Sequence, residues 1–193
     1  MHFARIVRRI KKERSQLRIL VLGFDNAGKT SVLHRLFGKP VMDAMPTFGY
    51  QIHSGVHRGY ELVVLDVGGQ SVFQEHWSSY YEDVDGVVFV FDSTDGRSFT
   101  EHVGRIKSAV VGKPMLLLAN KCDIGTAFSQ DMLGNDFQQF LSRKDVRLMK
   151  CSARSGEGVN EGFDWLLAES MKRLLNEVAV KACAAVEGSM VGQ

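Results

Sequence analysis

Apolar runs of strand length alternate along this chain with segments in which apolar residues recur every three or four positions. Residues 17–22 (Leu-Arg-Ile-Leu-Val-Leu) read as a buried strand, and Val32, Leu33, Leu36 and Phe37 mark the helix after it. Residues 51–56 and 60–65, separated by His57-Arg58-Gly59, predict a β-hairpin with a short turn. Residues 71–83 read as irregular and partly helical, rich in the aromatics Phe73, Trp77, Tyr80 and Tyr81. Residues 86–91 form a second apolar strand, and a helical pattern follows through Phe99, Val103, Ile106 and Val110. Residues 115–119 are a third apolar strand, 131–141 a helix and 146–150 a further strand. Val159, Phe163, Leu166, Leu167, Met171 and Leu174 then mark a final helix. Such alternation implies an α/β fold with a mostly parallel sheet covered by helices on both faces.

The ends of the chain read differently. Phe3, Ile6, Val7 and Ile10 fall at amphipathic-helix spacing within 1–16, with basic residues largely on the other faces. That arm could lie on an anionic membrane through residues 1–14, or pack into a groove of its own domain or of a partner. Beyond about 178 the chain is rich in small residues, and 179–193 is expected to be a disordered tail. Between them, 17–178 is expected to be one domain.

Charge sharpens this division. The arm's six basic residues against Glu13 give it a net +5, so within a total of +2 the remainder carries −3. A nucleic-acid-binding body would carry its basic patch on the folded domain, so no nucleic-acid partner is expected. No apolar run reaches the ~18 residues of a membrane span, and the N-terminus lacks a signal-peptide pattern. His2 removes the myristoylation signal, and Cys183 lies too far from the end for prenylation. Three cysteines without metal-ligand spacing fit a reducing, cytoplasmic setting. His53 and His57, four apart on a strand and turn, are not placed as a helix would place two metal ligands.

The chemistry gathers where strands end. Gly23-Phe24-Asp25-Asn26-Ala27-Gly28-Lys29-Thr30 fits G-x-x-x-x-G-K-[ST] between a strand and a helix, the context in which backbone N–H groups surround a phosphate. Gly23, Asp25, Asn26, Ala27, Gly28, Lys29, Thr30 and Ser31 are therefore expected nucleotide-binding residues. Lys29 would reach the β- and γ-phosphates and Thr30 would ligate Mg²⁺. Asp66, in Asp66-Val67-Gly68-Gly69-Gln70, is suited to hold Mg²⁺ through water, the Gly69 N–H to bond the γ-phosphate, and Gln70 to orient the attacking water as the catalytic residue. Asn120-Lys121-Cys122-Asp123 reads guanine, because a carboxylate at Asp123 accepts from the ring N–H and the exocyclic amine, which adenine does not offer. Lys121 would cover the base, and an N–H of Ser152 or Ala153 would hold its carbonyl. No arginine stands in an obvious cis position, so intrinsic hydrolysis is expected to be slow.

Together with Pro46-Thr47-x-Gly49-Tyr50 and Cys151-Ser152-Ala153, these motifs resemble the Arf-like (ADP-ribosylation-factor-like) small GTPases of the Ras superfamily, over residues 1 to about 178. Asp25 is characteristic of that family. Lys12-Glu13, His57-Arg58-Gly59-Tyr60 and Asp164-Trp165-Leu166-Leu167 resemble the branch linked to tubulin-cofactor chemistry and lipidated-cargo carriers. The resemblance implies a three-layer P-loop G domain with a six-stranded sheet, GTP/GDP and Mg²⁺ as ligands, and monomeric action. It implies that Thr47 ligates Mg²⁺ in the GTP state, and that 39–50 and 69–82 are switches read by an exchange factor, a GTPase-activating protein and effectors in trafficking or in cytoskeletal and ciliary work. It also implies that the hairpin shifts register between states and displaces the N-terminal helix.

The chain departs from the family at His2, where glycine is usual, and at Leu65, where tryptophan is usual. The segment between Asp92 and Asn120 is also short for the family. Two readings stand beside the hydrolysing switch: a GTP-loaded scaffold that barely hydrolyses, and an adenine-using P-loop enzyme, which Asp123 disfavours.

Overall fold

The apolar runs pair into one sheet: β1 Gln16–Gly23, β2 Tyr50–His57, β3 Tyr60–Val67, β4 Gly86–Asp92, β5 Met115–Asn120 and β6 Val146–Lys150, in the order β2-β3-β1-β4-β5-β6. The computed structural model describes residues 16–70, 80–81, 83–95, 112–125 and 135–190, with backbone alone over 135–136 and 181–190. Five of the described strands run parallel, and β2 is antiparallel to β3. The central strands are apolar almost without interruption because both of their faces are covered. Ile19 to Leu22, Val87 to Phe91 and Met115 to Ala119 are all buried.

β2 lies at the edge of the sheet, and its burial pattern shows it. His53 is its one fully buried residue, while Tyr50, Ile52 and Val56 stand exposed. The register with β3 is unbroken from Tyr50↔Val67 to His57↔Tyr60. The turn takes two residues rather than the three expected, because Arg58 (φ 51°) and Gly59 (φ 80°) both adopt the left-handed region that a tight hairpin of this hand requires.

Three helices are described: α1 Lys29–Leu36, α2 Asn135–Leu141 and α3 Val159–Met190. α1 touches β1 and α3, and α3 in turn packs on β4 and β5. Val32, Leu33 and Leu36 of α1 and Val159, Phe163, Leu166, Leu167 and Leu174 of α3 are all buried in one apolar core.

One expectation is corrected here. The segment from 179, expected to be disordered, continues α3 as helix to Met190. Ala179, Lys181, Ala182, Ala184, Ala185 and Glu187 are strong helix formers and no proline interrupts them, so small side chains there mark propensity rather than disorder. The amphipathic arm, the aromatic segment 71–79 and the helical pattern through Phe99 to Val110 lie outside the described residues, as does the start of the helix expected over 131–141. Among the described residues, no helix is long and apolar enough to cross a membrane.

Candidate functional site

β1, β3, β4, β5 and β6 all end at the same edge of the sheet, and β1, β3, β5 and β6 each lead into one of the motif loops. β1 lies between β3 and β4, where the strand order reverses, and this is where open α/β sheets leave a crevice for ligands. The loop from Gly23 fills that crevice. Gly28 caps α1 with φ 85° and provides no side-chain cap, so the first N–H groups of the helix are left to an anion. A Cβ at Gly28 would stand 2.5 Å from Asn120 Nδ2, so glycine is also required there for close approach.

Lys29 closes the loop on itself. Its Nζ donates to the carbonyls of Phe24 (2.9 Å) and Gly23 (3.3 Å) while the side chain is almost fully buried. Burial pushes its ammonium below the usual lysine range, and the charges of Asp66 and Asp25 oppose that shift. A dry, nearly enclosed cation at a helix N-terminus is a site for phosphate oxygens. The cavity beside it holds about 370 Å³ and is lined by Asp25, Asn26, Gly28, Lys29, Thr30 and Ser31 on one side. Ala44 to Thr47, with Gly69 and Gln70, form the other.

Three oxygen-bearing side chains from separate elements meet at this cavity. Thr30 Oγ1 donates to Asp66 Oδ2 at 2.6 Å, Thr47 Oγ1 does so at 3.3 Å, and the two hydroxyls are 3.0 Å apart. Asp66 is wholly buried, and its other oxygen, Oδ1, has no hydrogen-bond partner among the described residues. Two hydroxyls and a partly unsatisfied carboxylate beside a phosphate site are the hard-oxygen donor set that Mg²⁺ takes, sharing its shell with phosphate and water. The residues present therefore fit Mg²⁺. Gly69 packs onto the phosphate loop so tightly that a Cβ would lie 2.4 Å from Asp25 N, and Gln70 follows it at the exposed cavity wall.

The loops after β4, β5 and β6 do not line this cavity but are tied to the phosphate loop beside it. Asn120 is buried and ties two loops together: its Nδ2 donates to Ala27 O at 2.8 Å, and its Oδ1 accepts from Ala153 N at 3.0 Å. Lys121 takes a left-handed backbone (φ 67°), and its ammonium pairs with Asp92 Oδ2 at 2.7 Å. Burial raises the Asp92 pKa, but hydrogen bonds from Lys121 and Thr94 outweigh it and hold the carboxyl below its usual range. Asp123 is exposed two residues on. The Ser152 and Ala153 N–H groups, expected to offer a donor to a base carbonyl, both have protein partners in this arrangement. The Ser152 N–H is bonded to Glu157 O (2.9 Å), and the Ala153 N–H to Asn120. Both bonds shape the loop.

Two positions were not assigned these roles from sequence. Asp92 anchors Lys121, and the signal available was an acidic residue terminating an apolar strand. His53 and His57 do not act together: His53 lies buried near Asp66, whereas His57 bonds Asp164 on α3. A larger cleft of about 490 Å³ sits at the opposite edge of the sheet, beside Pro114, Asp145 and α3, and holds none of the motif residues.

With this geometry in view, the comparisons with known proteins agree. The family model for the ADP-ribosylation factor family (Arf) matches residues 3–170. ADP-ribosylation factor-like protein 2 from Arabidopsis thaliana is 35% identical over 176 residues, covering 88% of this chain and 95% of that protein. The protein of the same name from Drosophila melanogaster is 35% identical over 185 residues, covering 90% and 98%. Among solved structures, the Arl6 BBS3 small GTPase from Trypanosoma brucei with bound nucleotide analogue GppNp superposes with a TM-score of 0.67 at 26% identity, covering 82% of this chain and 99% of that one.

Proposed function

Since the chain belongs to the ADP-ribosylation factor family and is a small GTPase, we propose that it is a Mg²⁺-dependent switch whose loop 39–50 is held closed by GTP and released after hydrolysis. The observation carrying this reading is the meeting of Thr30, Thr47 and Asp66. Thr47 stands between the loop's two ends, which are bonded through Pro40 and Gly49, in a stretch where Met42, Met45 and Phe48 are exposed. Its tie to Thr30 and Asp66 makes the loop's position depend on what occupies the cavity.

Mg²⁺ in this site would neutralise charge on the β- and γ-phosphate oxygens. Thr30, Thr47 and Asp66 would hold it. Lys29 would exchange its two carbonyl contacts for phosphate oxygens, and the N–H groups opening α1 would take the remaining charge. The Gly69 N–H would bond the γ-phosphate, and Gln70 would orient a water in line with the bond to be broken. Asp123 would select guanine.

Partners that read the state would meet the exposed Met42, Met45, Phe48, Tyr50, Ile52 and Val56, which run along the loop and the open edge of β2. Leu65, opposite Ile52 on β3, is half-buried on this side of the sheet. Exchange factor, activating protein and effectors in intracellular trafficking, or in cytoskeletal and ciliary work, would dock there. A cytoplasmic monomer is the form this requires.

Single-turnover phosphate release tests the hydrolytic half of the proposal. Intrinsic turnover should be roughly 10⁻⁴ s⁻¹ without an arginine supplied in trans. Gln70→Leu should lower it about tenfold, about 1.4 kcal/mol in the barrier, with GTP still bound. An unchanged rate in that variant would favour a nucleotide-loaded scaffold instead.

A further inference from the structure

His53 is 3% exposed on an edge strand where an apolar β-branched residue would serve the packing. Among the described residues its Nε2 has no hydrogen-bond partner, and Asp66 Oδ2 lies 3.7 Å away. That distance is too long for a direct bond and is the separation at which a bridging water is to be sought. Asp66 Oδ1, buried and unpartnered, belongs to the same carboxylate. Two orphaned polar atoms on adjacent buried groups call for an explanation, because native interiors rarely leave such atoms unmatched.

The surroundings hold the ring in place. His53 pairs with Val64 on β3, two residues before Asp66, and its ring meets that of His34 on α1 edge-on, with centroids 6.1 Å apart. His34 Nδ1 is bonded to Pro40 O at 2.8 Å, at the start of the loop that carries Thr47. Two residues further along β2, a Cβ at Gly55 would strike the Phe37 ring at 2.4 Å, so the strand sits close against the end of α1. The imidazole is thus wedged between α1 and the carboxylate.

From this arrangement we infer that His53 is a positioning residue for the divalent cation: it orients the Asp66 carboxylate toward the cation and does not itself bind the metal. The inference rests on the nucleotide-and-Mg²⁺ reading above and assigns it a residue that the motifs do not include. Groups that orient a metal-holding side chain in this way typically contribute ~10–100-fold in metal affinity. Asp66 is held by Thr30 and Thr47 on one oxygen, and His53 is the polar group placed to fix the carboxylate from the β2 side.

The test is release of a fluorescent GDP analogue from the full chain, followed across a Mg²⁺ titration. His53→Leu keeps the volume but removes the nitrogen, whereas His53→Gln returns a polar group near the Nε2 position. The Leu variant should need about tenfold more Mg²⁺ to retain nucleotide, and the Gln variant should come back to within about threefold of the parent. If the Leu protein does not fold, His53→Val takes its place. Overlapping Mg²⁺ curves for parent and Leu variant would overturn the inference. So would equal shifts in Leu and Gln, since the ring would then only fill space. If the parent itself released GDP at a rate independent of Mg²⁺, the nucleotide reading would fail before any variant was compared.

Discussion

Arg58 grips Asp164 with two nitrogens on one edge of its guanidinium: Nε lies 2.9 and 3.1 Å from the two carboxylate oxygens, and Nη2 lies 2.6 Å from Oδ2. His57 Nε2 adds a contact to Oδ1 at 2.7 Å. This clamp joins the tip of the β2–β3 hairpin to α3, at the far end of β3 from Asp66. Because the hairpin's register is unbroken, the position of its tip along β1 also sets where Asp66 and the entry to β2 stand.

The clamp has a pH signature. The Arg58 hydrogen bonds hold the Asp164 carboxyl below its usual range against the opposing effect of burial, and His57 adds to them. A carboxyl depressed in the folded state stabilises the fold above the ordinary carboxylate pKa of about 3.9 and loses that contribution as pH falls through the lower folded value. Arg58 is largely exposed, so the effect is small. Asp164→Asn should lower the melting temperature by at most a few degrees at pH 7, and the gap should close below about pH 4. A gap that persisted unchanged at low pH would assign the loss to packing rather than charge.

Gly69→Ala should act through space alone. Its Cβ would lie 2.4 Å from the backbone at both Phe24 and Asp25, so the segment carrying residue 69 must draw back from the phosphate loop. Affinity for a non-hydrolysable GTP analogue should fall about tenfold or more, about 1.4 kcal/mol. GDP binding, which needs no γ-phosphate contact from Gly69, should fall much less. Equal losses for both nucleotides, measured by fluorescence titration, would show that the contact does not report on the γ-phosphate.

Much of this was legible in the sequence because parallel strands buried on both faces cannot hide. The run 17–22 and the run 115–119 read as strands from composition alone, and each lies inside β1 or β5. Thr30 and Asp66 could be named because their motifs fix local geometry, although nothing in the sequence states that their oxygens lie 2.6 Å apart. Relationships made only by folding are of a different kind. Whether the Ser152 and Ala153 N–H groups are free depends on Glu157 and Asn120, which reach them only after folding. Asp92 pairs with Lys121 across neighbouring strand ends, a relationship set by sheet order. The helix beyond 178 was misjudged because small residues were read as looseness when alanine is the strongest helix former.

Two cysteines border the base half of the site. Burial pushes the Cys151 thiol up to about 12, with nearby Cys122 and Glu157 adding to it, and burial raises Cys122 as well. The thiolate is the reactive form, so both should alkylate slowly at pH 7.5. Peptide mapping after iodoacetamide should show Cys122, which is partly exposed, modified before buried Cys151. Rapid labelling of Cys151 in the folded protein would mean that the loop after β6 opens far more than its hydrogen bonds imply.

Guanine selection is the claim on which the switch depends, and Asp123 carries it. Its carboxylate lies beyond Lys121, whose ammonium is held by Asp92, and Asn120 ties this loop to the phosphate loop. Equilibrium binding of GDP, ADP and XDP to the parent and to Asp123→Asn is therefore the most direct measurement. The parent should prefer GDP over ADP by about 10⁴-fold or more, since adenine leaves the carboxylate unpaired. The Asn variant should lose GDP and gain XDP, whose ring presents an acceptor to the amide. Equal affinity of the parent for ADP and GDP, or an Asn variant with unchanged preference, would contradict the assignment of this site as a guanine-nucleotide switch.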